Sequence, residues 1–301
     1  SLDQIIDQLR RGDHVVWQVD NIDDYQRLVT AFVNRALANS ERVVYVRFAR
    51  HLPLIEERSD LVTVHRLDVG QGFESFSSQV HTLITREGRD IFYVFDSLSD
   101  LLHVWATDLM IGDFFFITCP YLFELNTVAY FALLRHRHSY KAVARIRETT
   151  QVLIDVYNYR GQVCVHPVKV QHRYSPTMFF PHLKRKGLLE PVISSVDATE
   201  LFTHLSRHRT GEPPRHLDYW DHLFLRARDL HASDTLVEEK QDMVEQLSRL
   251  LLTRNKQLLG LIREHLTLGD LLRIKARLIG TGFVGGKSVG MLLARKILVN
   301  D

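Results

Sequence analysis

Apolar residues in the first two-thirds of the chain fall into two alternating patterns. Short continuous apolar runs predict buried strands at His14–Val19, Val43–Phe48, Leu61–Leu67, Ile91–Asp96 and Thr127–Leu134. Between them lie stretches with apolar residues three and four apart, which predict helices. The clearest runs from Asp24 to Ala38, with Tyr25, Leu28, Val29, Phe32, Val33, Ala36 and Leu37 on one stripe and Asn21 or Asp23 as N-cap. Phe73–Arg86 reads as a second helix, and Ser139 caps a third that runs to about Glu148. Leu98–Leu125 is mostly apolar and helical, with breaks expected near Gly112 and Pro120. Val152–Tyr159 and Gln162–Gln171 flank Arg160-Gly161 and predict a hairpin. Strands alternating with helices and closed by a hairpin predict an α/β fold, a three-layer αβα sandwich with a mainly parallel sheet, over residues 1–195.

From Asp197 onward only helical patterns remain. Asp197 is expected to cap a helix to about Arg209, and Gly211-Glu212-Pro213-Pro214 breaks the chain. Helices are predicted at His216–Leu230, Leu236–His265 and Leu268–Ile279. In the long middle one, Val244, Leu247, Leu251, Leu258 and Leu261 fall near heptad spacing, with Arg254 interrupting. Packing within the chain would satisfy that stripe, and so would a homodimer through Leu236 to His265. The expected plan is an α/β domain over 1–195, a helical connector over 196–279, and a further unit opening at 280–301.

Composition narrows the function classes. The chain is 45 % hydrophobic and 25 % charged, as in ordinary globular proteins, and its formal net charge of +2 gives no global pull toward nucleic acid or membranes. The basic segment His182-Leu183-Lys184-Arg185-Lys186-Gly187 is short and lacks interleaved aromatics, so it argues little for nucleic acid. Phe114–Leu134 is the most membrane-like stretch, but Pro120, Glu124 and Asn126 interrupt it, and no span is predicted. Cys119 and Cys164 have no metal-site spacing and read as reduced thiols, which suits the cytoplasm. The first residue is Ser rather than Met, so a processed or cut chain is expected.

The candidate chemistry centres on Arg89–Leu102, where the run Ile91–Phe95 leads into Asp96. A carboxylate at the C-terminal end of a buried parallel strand sits where open α/β sheets bind ligands. Together, HVVWQV (His14–Val19), RVVYVRF (Arg42–Phe48), YVFDSLSDLL (Tyr93–Leu102) and SYKAVARI (Ser139–Ile146), leading into VLIDVYNYRGQVCVHPVKV (Val152–Val170), resemble the RecA/KaiC-like ATPase family. That resemblance implies a Walker B strand at YVFDSLS, with Asp96 as its magnesium-binding aspartate. The phosphate loop expected after the first strand needs glycines, a Lys and a Ser or Thr. The chain has Asp20-Asn21-Ile22-Asp23-Asp24-Tyr25 instead, and Arg47-Phe48-Ala49-Arg50 where the family carries acids that activate water. The expectation is a degenerate domain with no catalytic residues and no metal site, in which Asp96 is a remnant. Arg135-His136-Arg137-His138 follows a buried strand and offers a possible anion site at the sheet rim, while His166 and His172 read as structural.

A second signal lies in IGTGFVGGKSVGMLLARKIL, Ile279–Leu298. Thr281 stands where a Walker A loop needs its first glycine. The order Val284, Gly285-Gly286-Lys287, Ser288, Gly290-Met291-Leu292 resembles the opening of the nucleotide-binding domain of phosphoenolpyruvate synthase and pyruvate phosphate dikinase. That resemblance implies a strand before the turn, and nucleotide-binding roles for Gly285, Gly286 and Lys287. It further implies a parent protein that uses ATP and magnesium through downstream phosphotransferase domains, with no cofactor held by this chain. The alternative is an active RecA/KaiC-type ATPase whose phosphate site borrows Lys287, folded back over Asp96.

Overall fold

The computed structural model describes residues 2–56, 60–105, 107–135, 137–185, 187–207, 219–233, 237–279 and 283–300. Its elements in chain order are α1 (Leu2–Ile6), β1 (His14–Val19), α2 (Ile22–Ala38), β2 (Val43–Arg47), β3 (Val62–Arg66), α3 (Phe73–Glu87) and β4 (Phe92–Ser97). A 3-10 helix (Leu98–His103) leads to α4 (Leu109–Glu124), β5 (Val128–Leu134) and α5 (Tyr140–Thr149). Then come β6 (Val152–Tyr159), β7 (Gln162–Val170), β8 (His182–Arg185) and β9 (Leu188–Pro191). Helices α6 (Ser195–Arg207), α7 (Tyr219–Ala232), α8 (Val237–Leu251), α9 (Lys256–His265), α10 (Leu268–Arg277) and α11 (Gly286–Asn300) complete the chain.

The strands form one sheet in the order β3-β2-β4-β5-β1-β6-β7-β8-β9. From β3 to β6 the pairings are parallel, and from β6 to β9 they are antiparallel. Val15, Trp17, Val19, Tyr45 and Val94 pack with α2 on one face, while Val16, Val44, Val46, Tyr93 and Phe95 pack with α3 and α4 on the other. That is why the strands are continuous apolar runs: each alternate residue meets a helix layer. The expected three-layer α/β sandwich is therefore present, with helices added at its C-terminal end.

Chain direction sets where a site can form. β1 feeds α2 on the first face, whereas its neighbour β5 feeds α5, whose Ile146 packs on the second. β2 leads to a loop whose Leu54 lies on the first face, and its neighbour β4 leads to α4 on the second. Crevices open at the C-terminal ends of strands where connections diverge in this way.

Several expectations need correction. Residues 109–124 form one helix through both Gly112 and Pro120. A Cβ on Gly112 would stand 3.0 Å from the Arg145 Cβ, so Gly112 marks close contact with α5 rather than a break. Pro120 is exposed, as is Phe116, whose carbonyl loses its N–H partner to the proline. Of the basic segment His182–Gly187, residues His182–Arg185 form β8, whose hairpin with β9 extends the sheet. The helix after β9 begins at Ser195, before Asp197, and the Ser194 hydroxyl accepts from the Asp197 N–H at 3.4 Å.

The expected single helix from Leu236 to His265 is two. The Asn255 side chain caps α9 by accepting from the N–H groups of Gln257 (2.9 Å) and Leu258 (3.2 Å), which separates it from α8. Val244, Leu247 and Leu251 are buried in the helical core of this same chain with Trp220, Phe224, Ile262 and Leu271. Leu236 and the Gly211–Pro214 break lie outside the described residues. Val284 is not in a strand; its N–H donates to the Leu251 carbonyl at 2.8 Å. Helix α11 packs into the helical core through Val289 and Leu293.

Candidate functional site at the C-terminal edge of the sheet

Asp96 is fully buried on the face that carries Tyr45. One carboxylate oxygen accepts from the Tyr45 hydroxyl. The other accepts the backbone N–H groups of Phe48 and Ala49, each at 2.9 Å. The Tyr45 hydroxyl in turn accepts from the Leu54 N–H at 3.1 Å. His51 Nε2 stands 3.6 Å from the first oxygen. The aspartate thus ties the chain leaving β2 to the end of β4, and both oxygens have protein donors. Burial and the Asp96 charge push the Tyr45 phenol well above its ordinary range, so it stays a donor.

The position of a phosphate loop, between β1 and α2, is built differently. Asn21 caps α2 by accepting from the Asp24 N–H at 3.0 Å, and Asp23 and Asp24 occupy the first turn. Burial raises the Asp24 pKa, and Asp20 and Asp23 raise it further against the opposing effect of Arg27. Three carboxylates at a helix N-terminus repel the polyphosphate that a helix N-terminus otherwise attracts.

Of the Arg135–His138 run, the structure places two members inside and one outside. The Arg135 side chain is 4 % exposed. It donates to Asp20 (2.8 Å), the Gln18 carbonyl (2.8 Å) and the Val156 carbonyl (2.6 Å), and stacks 4.3 Å over the Tyr157 ring. Burial opposes its charge, but Asp155, Tyr157 and Asp20 outweigh that and raise its pKa. His138 is buried, with Nε2 at 2.7 Å from the Ser99 hydroxyl, which also accepts the Leu134 N–H at 2.8 Å. Arg137 is exposed, and His136 lies outside the described residues. Among the described members, Arg135 and His138 are turned to protein partners and Arg137 to the surface.

What remains at the rim is a group of ionisable residues in which Arg137 of that run neighbours His51, Asp100 and His103, three residues the sequence did not single out. Burial raises the Asp100 pKa, His51, His103 and Arg137 hold it back, and Asp96 adds to the rise. Burial lowers the His103 pKa, Asp100 opposes this, and Arg137 and Arg50 reinforce it. These residues come from the loops after β2, β4 and β5, so only the strand order brings them together. His166 and His172 lie on β7 and just after it; burial lowers the His166 pKa. Among the described residues no cluster of three His, Cys, Asp or Glu has metal-site geometry.

Lys287 is exposed in the first turn of α11 and makes no ion pair with Asp96 among the described residues. A Cβ on Gly285 or Gly286 would meet open space, and neither glycine has a positive φ. Neither crowding nor backbone conformation therefore demands glycine there.

No family model and no curated protein matches the chain. At the sheet, both oxygens of Asp96 accept from protein donors, and the position expected for a phosphate loop carries Asp20, Asp23 and Asp24. No helix among the described residues is long and apolar enough to cross a membrane.

Proposed function

We propose that this chain is a non-catalytic regulatory or scaffolding module of a phosphoenolpyruvate synthase-like phosphotransferase, built on a RecA/KaiC-like domain that has lost nucleotide hydrolysis. The observation that carries the reading is the commitment of both Asp96 oxygens to Tyr45, Phe48 and Ala49. A carboxylate held by backbone N–H groups in a buried site is a structural latch, and freeing it for a metal would orphan those donors. The three-layer sandwich with its mainly parallel sheet and hairpin supports the RecA-like part. The Gly285-Gly286-Lys287 sequence at the start of α11 supports the phosphotransferase part, because neither crowding nor a positive φ accounts for its glycines. ATP and magnesium would then serve the parent protein's downstream domains.

The test is isothermal titration of the chain with magnesium–ATP. The expected result is no binding at the sheet tighter than about 100 μM (roughly 5.5 kcal/mol). Tighter binding that disappears in Asp96→Asn, in a variant that still folds by circular dichroism, overturns the reading in favour of an active ATPase.

A further inference from the structure

Helices α10 and α11 enclose a cleft of about 580 Å³. That size lies within the range of small-molecule sites, about 300–1,000 Å³. Its floor is apolar, formed by Ile274, Leu278, Val284 and Leu292. Its rim carries four cations, Arg273 and Arg277 from α10 and Arg295 and Lys296 from α11, against one carboxylate, Asp270.

The walls are fixed by that carboxylate. Asp270 closes a capping box with Thr267 at the start of α10. It accepts from Arg273 on its own helix and pairs with Lys296 of α11 at 3.1 Å. The Val284 N–H, bonded to the Leu251 carbonyl, anchors the segment that enters α11. Arg273 and Lys296 are thus spent on Asp270. Arg277 and Arg295 form no ion pair among the described residues. Two unpaired guanidinium groups over an apolar floor, in a cleft whose local charge is strongly positive, select an anion with an apolar body. The guanidinium fork matches carboxylate and phosphate alike, but a phosphate monoester brings nearly two charges and three acceptor oxygens to two guanidinium groups.

We infer that the α10–α11 cleft binds a small organic phosphate, its phosphate held by Arg277 and Arg295 and its apolar body laid on Ile274, Leu278, Val284 and Leu292. The site stands apart from the sheet and does not depend on how the sheet is read.

The test is titration of the full chain with 1-naphthyl phosphate, with inorganic phosphate and 1-naphthol as partial ligands. Saturable one-site binding with a dissociation constant below about 1 mM is expected. Each partial ligand is expected to bind at least about tenfold more weakly, and Arg277→Ala/Arg295→Ala to lose at least about tenfold in affinity for the phosphate. Both arginines are exposed, so the double variant should keep the wild-type circular dichroism, and Asp96→Asn should leave this binding intact. Unchanged binding in the double variant, or no saturation, overturns the inference. Tighter binding of an oligoglutamate peptide that displaces the naphthyl probe also overturns it, in favour of an acidic protein segment.

Discussion

The Tyr45 hydroxyl on β2 donates to the Asp96 carboxylate on the neighbouring strand β4. Around this bond the loop after β2 is gathered: Phe48 and Ala49 donate to the carboxylate, and Leu54 donates to the phenol. Three residues, Tyr45, Phe48 and Ala49, thus close onto one acid at the end of β4, and Leu54 joins them through the phenol. In a site where water is excluded, such a network holds only while each member is satisfied.

Asp96→Asn should destabilise the fold by about 2–4 kcal/mol, because an amide replaces a charge that accepts two backbone N–H groups. Tyr45→Phe should cost about 1–2 kcal/mol, leaving the Leu54 N–H without its acceptor. The double variant should lose less than the sum, since each change removes the same contact. Urea unfolding of the four proteins measures the coupling. Additive losses would mean that Asp96 does not depend on Tyr45, and would remove the latch.

Arg135→Lys should destabilise nearly as much as Arg135→Ala. The guanidinium spans Asp20, Gln18 and Val156 at once while stacking on Tyr157, and an ammonium cannot reproduce that plane. Removing one partner of a buried ion pair costs about 3–5 kcal/mol. Denaturant midpoints for the two variants check this, and a lysine variant close to wild type would show that charge alone suffices.

The layered fold was legible because burial on both faces leaves an apolar run that needs no knowledge of partners. Asn21 was likewise readable as a cap, since capping is local. The end of α8 was not: the heptad-like leucines continue past it, and the cap that ends the run, Asn255, is one polar residue among many. Strand His182–Arg185 was hidden because only half its residues are buried, so charge dominated its appearance. Asp96 was visible as a special position, but its role was set by Tyr45 and by two backbone N–H groups, which no side-chain pattern announces. The rim cluster of His51, Asp100, His103 and Arg137 depends on β2, β4 and β5 being neighbours, and local spacing carries no trace of that order.

His14 should make the protein acid-sensitive well above the carboxylate range. It is fully buried on β1, and burial lowers its pKa from 6.5 to about 3, against the opposing effect of Gln151. In the unfolded chain it protonates near 6.5, so between about pH 6.5 and 3 the unfolded state holds a proton that the folded state lacks. Stability then falls with falling pH by up to about 1.4 kcal/mol per unit, and above 6.5 the group contributes no slope. Burial lowers His81, His103, His166 and His182 in the same direction. Unfolding free energies at several pH values should show a slope that decreases by about one proton in His14→Gln. Parallel curves for the two proteins would exclude His14 as a source.

Arg254 should govern how firmly the helical unit sits on the sheet. It follows α8, donates to the Val104 carbonyl beside the 3-10 helix at 2.6 Å, and lies 4.9 Å from the Phe283 ring centre. Burial lowers its pKa and Glu74 opposes this. A second bridge runs from Gln246 through the Tyr219 hydroxyl to His103, at 2.8 and 3.4 Å. Gly72, at φ 100°, leaves the space that Arg254 fills: a Cβ there would stand 2.8 Å from the guanidinium. Arg254→Ala should therefore cost about 1–2 kcal/mol, and Gly72→Ala at least as much, through both the displaced arginine and the left-handed backbone. Hydrogen exchange separates this from a general loss of stability. Amides of α8 and α9 should exchange faster in Arg254→Ala while those of β1 and β5 hold their rates. Equal acceleration in both groups would mean that the arginine serves the fold as a whole and not the seating of its helical unit.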